Sequence, residues 1–170
     1  NNGDIVTLQP GTKFLFNENA KFIIFGTLQA LGTESDSILF VNYEDETWGG
    51  IILDGASDET SFEYVRISRV YNLNGEGGGI NLASSHPTLT HVVISGNVSA
   101  SGSGAGMYLN NSSPSLTHVT IENNTAYYGA GMNLRTLSHP TLNYVTISGN
   151  SGGGMRVQSS NPTLTHVVIS

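Results

Sequence analysis

The amino-acid sequence predicts an all-β coil, a single-stranded parallel solenoid with three short strands per rung and roughly seven rungs. Three observations carry that expectation. The stretch from Gly104 to Asn150 states Gly-Met-x-Leu and then Pro-x-Leu-x-x-Val-Thr-Ile, and then states both again. Inside each copy apolar and polar residues alternate at period two, the side-chain period of a strand. Gly, Asn, Ser and Pro also cut every apolar run short, so no run in these copies is long enough for a helix.

The elements follow in chain order. Residues 1–60 are irregular opening rungs: "VTLQPGTKFLF", "AKFIIFGTLQALGTESDSILFVN" and "WGGIIL" are apolar runs separated by Pro-Gly or Gly-Thr corners. From residue 61 the copies become regular. Their anchors are Phe62, Leu89, Leu116, Leu142 and Leu164, spaced 27, 27, 26 and 22 residues apart. From each anchor to the glycine before the next Met-type strand (Gly79, Gly106, Gly131, Gly154) the chain spends 17, 17, 15 and 12 residues, but from that glycine to the next anchor 10, 10, 11 and 10. One corner is therefore free to vary while the rest is constrained. Alternation sends Met107, Leu109, Val119 and Ile121 inward with the five anchors, and Tyr108 and Thr120 outward. Stacked at roughly 4.8 Å per rung, the inward side chains share one interior. The expected organisation is a single domain over 1–170 that continues beyond residue 170 in the parent protein. The last copy stops at "THVVIS", which leaves Val167 to Ile169 as an apolar strand edge open to more chain or to a second copy stacked end to end.

The repeats, "PTLTHVVISGN…GGGM" above all, resemble secreted bacterial right-handed parallel β-helix proteins of the pectin-lyase-like superfamily. The resemblance extends over the whole chain and implies a right-handed coil and an extracellular or cell-surface location. It does not imply one activity, because this scaffold carries lyases, hydrolases, adhesins and inert spacers.

Charge narrows the partners. The net charge is -7, and twelve of the thirteen acids lie in residues 1–76, so no basic face awaits nucleic acid. No apolar run of about 18 residues is present to insert in a membrane. Cysteine is absent, so no disulfide contributes.

The outward positions of the Gly-Met-x-Leu strands are Asn81, Tyr108, Asn133 and Arg156, with no carboxylate among them. Glycoside hydrolysis needs two positioned carboxyl groups, so no catalytic residue is assigned. Calcium is the one cofactor considered: Glu44, Asp45, Glu46 and Glu59 with Asp54 and Asp58 carry clustered oxygens, although solvated acidic loops read the same way. His91, His118 and His166 share one repeat position with Tyr144 and Tyr64. Since tyrosine replaces histidine there, the column reads as stacked rings rather than metal ligands. Asn97, Asn124 and Asn150 read as an amide ladder; His86 and His139, each before a proline, read as turn residues. Gly77 to Gly79 and Gly152 to Gly154 are tight corners. Sequons begin at Asn97, Asn110, Asn111 and Asn123.

Two surfaces remain as candidates for contact. Thr88 and Thr90, Ser115 and Thr117, Thr141 and Asn143, and Thr163 and Thr165 form outward pairs that resemble the flat faces of ice-binding β-helices, and exposed strands prefer threonine in any case. The variable corner carries Tyr127 and Tyr128, with Tyr71 and Tyr108 near; these and Arg156 are candidate residues for stacking on sugars or on another protein. The function expected is a non-enzymatic extracellular structural or adhesive module that displays variable loops to itself, a surface glycan or a protein. Polysaccharide binding or degradation is the alternative, and ice binding a third.

Overall fold

The computed structural model describes residues 3–73 and 75–170; Asn74, in the tip "VYNLNGEG" of the longest corner, lies outside them. All strand pairings are parallel and every sheet is built from successive copies. Among the described residues no helix occurs.

Three sheets run the length of the coil. The leucine sheet has seven strands, from Ile5–Leu8 and Thr27–Leu31 through Ser61–Glu63, Thr88–Thr90, Ser115–Thr117 and Thr141–Asn143 to Thr163–Thr165. The isoleucine sheet also has seven, from Lys13–Phe16 to Val168–Ile169, and the methionine sheet six, from Phe22–Ile24 to Met155–Val157. Register follows the sequence repeat residue for residue: Phe62, Leu89, Leu116, Leu142 and Leu164 are successive Cα partners. So are Ile94, Ile121 and Ile147, and Leu82, Leu109 and Leu134.

The interior is continuous and apolar: each regular rung turns five side chains inward, such as Met107, Leu109, Leu116, Val119 and Ile121, and none of them carries a group that would need water. The opening rungs lack the leucine pattern and fill their section with rings instead. Phe14 stacks on Phe40 at 5.0 Å and Phe16 on Trp48 at 4.3 Å, and Trp48 Nε1 donates to the Ser68 carbonyl at 2.9 Å. Leu164 departs from its expected place in the core. It keeps its register but is 46% exposed, because no residue of this sequence packs beneath the last rung. Val168 and Ile169 are exposed for the same reason.

Three kinds of corner join the sheets. Between the leucine and isoleucine strands a single residue turns the chain with positive φ: Tyr64, His91, His118, Tyr144 and His166, all between 48° and 53°. A non-glycine residue there costs about 1–2 kcal/mol. The rings offset it by stacking in one column, the three inner rings on both neighbours, at centroid distances of 4.6, 4.9, 5.1 and 4.5 Å. A second corner, not expected from the sequence, is a serine ladder. The hydroxyls of Ser85, Ser112, Ser138 and Ser160 each accept a backbone N–H from the rung above, and each donates to a carbonyl two or three residues back. Beside it His86 and His139 accept through Nδ1 from the N–H groups of Ser113 and Asn161, both at 2.9 Å.

The third corner is the variable one, and there the rungs with long connections add a short fourth sheet: Tyr71–Asn72, Val98–Ser103 and Thr125–Tyr128. It starts from the asparagine ladder. Asn124 Oδ1 accepts from both the backbone N and Nδ2 of Asn97, and Asn150 Oδ1 does the same for Asn124. Asn97 is fully buried in this ladder, which removes it as a glycan acceptor.

Candidate functional site

The fourth sheet has two sides, and the tyrosines divide between them. On the inner side, Ser103 and the glycines around it fold back over the outward face of the methionine sheet. The N–H and hydroxyl of Ser103 both donate to Glu76 Oε2, and Asn133 Nδ2 donates to Ser103 Oγ at 2.6 Å. Arg135 reaches up two rungs and pairs with Glu76 Oε1 at 3.5 Å. Four side chains from three rungs thus clamp the corner onto the sheet.

This clamp corrects the expectation for Tyr108. Tyr108 does point outward, as strand parity requires, but it is buried and offers no open face for contact. The backbone of Gly104 packs against its Cβ so closely that a Cβ on Gly104 would lie 3.0 Å from it. Asn133 is fully buried as well, and its Oδ1 is the one buried side-chain polar atom among the described residues with no hydrogen-bond partner.

Tyr128 faces this side. The Arg156 guanidinium lies over its ring, Cζ 4.9 Å from the centroid. Tyr127, one residue earlier, takes the opposite face of the strand and lines a shallow recess with Val98, Ser99, Ala100, Thr125 and Ala126. The corner therefore brings Tyr128 and Arg156 together and separates them from Tyr127. Both rings are largely exposed, Tyr127 at 69% and Tyr128 at 62%.

Glu44, Asp45 and Glu46 line an open depression with Glu18, whereas Asp54 ends a strand of the methionine sheet and Asp58 lies on the turn that follows, both exposed. Among the described residues no three His, Cys, Asp or Glu side chains come together closely enough to hold a metal ion. The stacked rings of His91 and His118 lie within 6° of parallel, so their nitrogens lie in separate planes rather than converging on one point. The threonine columns are in register but interrupted: Ser61, Thr88, Ser115, Thr141 and Thr163 in one, Glu63, Thr90, Thr117, Asn143 and Thr165 in the other.

Glu76 and Ser103 were not singled out by the sequence. Both sit in the segment whose length changes from copy to copy, where alignment of the repeats gives no register from which a partner could be read.

The coil geometry agrees with a family model described as the right-handed β-helix region, which matches residues 49–170. The chain belongs to the right-handed β-helix family. No curated protein matches it. In this β-helix the matched segment begins at the rung of Trp48 and includes every regular repeat, the clamp and the tyrosine corner.

Proposed function

We propose that this β-helix is a non-enzymatic extracellular module of structural or adhesive type, a stiff rod that presents its variable corner to a partner. The observation that carries this reading is the concentration of length variation among the regular repeats at one corner, the rest of the repeat changing by a single residue in one copy. Ring stacking, serine hydroxyls and asparagine amides fix the chain elsewhere, and the free corner projects Tyr127 and Tyr128 into solvent. Loops of unequal length on one side of a repeat scaffold are often its binding face. End-to-end stacking of copies is part of this reading, with the exposed Leu164, Val168 and Ile169 as the apolar contact.

Binding or cleavage of a polysaccharide is the second reading, favoured by the strip of Glu76, Arg135, Asn133 and Arg156 beneath the corner. Glycan arrays with and without calcium, together with an assay for new chain ends, separate the two. The module reading expects contact without cleavage, dependent on the corner: a Tyr127→Ser, Tyr128→Ser double variant keeps the unfolding midpoint and loses attachment. Release of products from any polysaccharide by the purified chain would overturn it. Negative-stain images test the stacking, with filaments expected if copies join end to end and short separate rods if they do not.

A further inference from the structure

The outer side of the fourth sheet differs from the rest of the surface. The regular rungs present mostly Ser, Thr and Asn outward, whereas this small sheet presents Tyr71, Val98 and Thr125 as successive Cα partners, with Ala100 and Tyr127 beside them. Tyr71 is 41% exposed, and Leu73 just after it 54%. Beside Tyr127 is a shallow recess of about 170 Å³ lined also by Val98, Ser99, Ala100, Thr125 and Ala126, and Tyr71 is the strand partner of Val98 at its edge. No residue of the recess is charged, in a molecule of net charge -7. The Ser99 hydroxyl is buried and donates to the Gly75 carbonyl at 3.0 Å, so it has no proton to offer a ligand.

We propose that this face binds a neutral oligosaccharide, laid obliquely across the three strands with a sugar ring stacked on Tyr127 and another toward Tyr71. The inference rests on the reading of the corner as a contact surface and assigns that surface a ligand class. Three features select the occupant. An aromatic ring bordering a flat floor of small side chains matches the C–H face of a pyranose, which is planar on that scale and apolar. The absence of charge matches a neutral sugar and would leave an acidic or basic partner's charges unpaired. The two tyrosines lie two rungs and two residues apart, a diagonal of roughly 12 Å by strand geometry, which a single sugar ring does not cover and a short chain of them does. Tyr128 and Arg156 lie on the other side of the strand and take no part.

The test is calorimetric titration of the whole chain with neutral hexose oligosaccharides of increasing length. At least one series is expected to bind, with affinity rising with length until the chain reaches both tyrosines. Tyr127→Ala and Tyr71→Ala should each weaken binding about tenfold; Tyr127→Phe should retain it, and Tyr43→Ala, at an exposed tyrosine outside the corner, should leave it unchanged, with circular dichroism confirming that every variant is folded. The proposal is overturned if no neutral oligosaccharide binds, if affinity does not grow with length, or if the outer face proves to join two copies, seen as a dimer in sedimentation that Tyr127→Ser dissolves. Glycan binding that survives Tyr127→Ala but is lost in Arg156→Ala also overturns it, while leaving the corner as a contact surface intact.

Discussion

The carboxamide of Asn124 serves three rungs at once. It accepts two hydrogen bonds from Asn97 above, donates to the Ile94 carbonyl at 3.1 Å, and donates to Asn150 Oδ1 below. Removing it strands buried groups, each of which costs about 1–3 kcal/mol when unpaired. Asn124→Ala is therefore expected to lower the unfolding free energy by about 3 kcal/mol, with a smaller loss for Asn150→Ala, whose side chain is only half-buried. Urea unfolding of both variants measures the difference. The ring corner behaves differently, because its constraint lies in the backbone. At His118, φ is 53° and the ring stacks between His91 and Tyr144. His118→Tyr keeps both features and should change stability by less than about 0.5 kcal/mol. His118→Val loses the stacking and places a branched Cβ in the left-handed region, which should cost about 2 kcal/mol or more. Equal losses in the two variants would show that the column is not held by its rings.

At the scale of the element, the methionine strands show why strand parity was legible and side-chain exposure was not. Alternation placed Met107 and Leu109 inward and Tyr108 outward, and so they lie. What covers Tyr108 is the variable segment doubling back, and its return is set by single contacts such as Ser103 to Glu76 rather than by any periodic pattern. The serine ladder escaped notice for a related reason: Ser85, Ser112, Ser138 and Ser160 look like ordinary loop residues until their N–H and hydroxyl partners are known. The glycine before each methionine strand was legible and has a steric cause. A Cβ on Gly106 would lie 2.5 Å from the Gly131 carbonyl oxygen and 2.6 Å from Ile121 Cγ2, while its φ is not positive. Two packed groups, one of them backbone, would have to move. Gly106→Ala is expected to destabilise by about 3 kcal/mol, whereas Gly96→Ala, with open space at its Cβ but φ of 64°, should cost only the backbone strain of about 1–2 kcal/mol. Thermal unfolding that ranks Gly96→Ala as the worse variant would contradict the close-approach account.

For the whole molecule, contacts run almost entirely between adjacent rungs, so stability is close to a sum of rung and interface terms along one axis. The leucine column made that axis visible in the sequence, since the same residue type returned at a near-constant interval. The column could not reveal burial at its end: Leu164 is aligned with Leu142 as closely as the others are aligned with one another, yet it has a neighbour on one side only. Position along the axis should therefore govern local opening more than residue type does. Strands in the central rungs, such as Ile80–Ala83 and Met107–Asn110, have paired neighbours on both sides and fully buried inward residues. Ile5–Leu8 and Val168–Ile169 have one neighbour each and exposed apolar side chains. Amide hydrogen exchange is expected to be slowest at Leu82 and Leu109 and to quicken toward both ends, reaching the fastest strand values at Ile5 and Ile169. Uniform protection from end to end would mean that the coil opens only as a unit, and a protection minimum in the central rungs would contradict the continuous shared core.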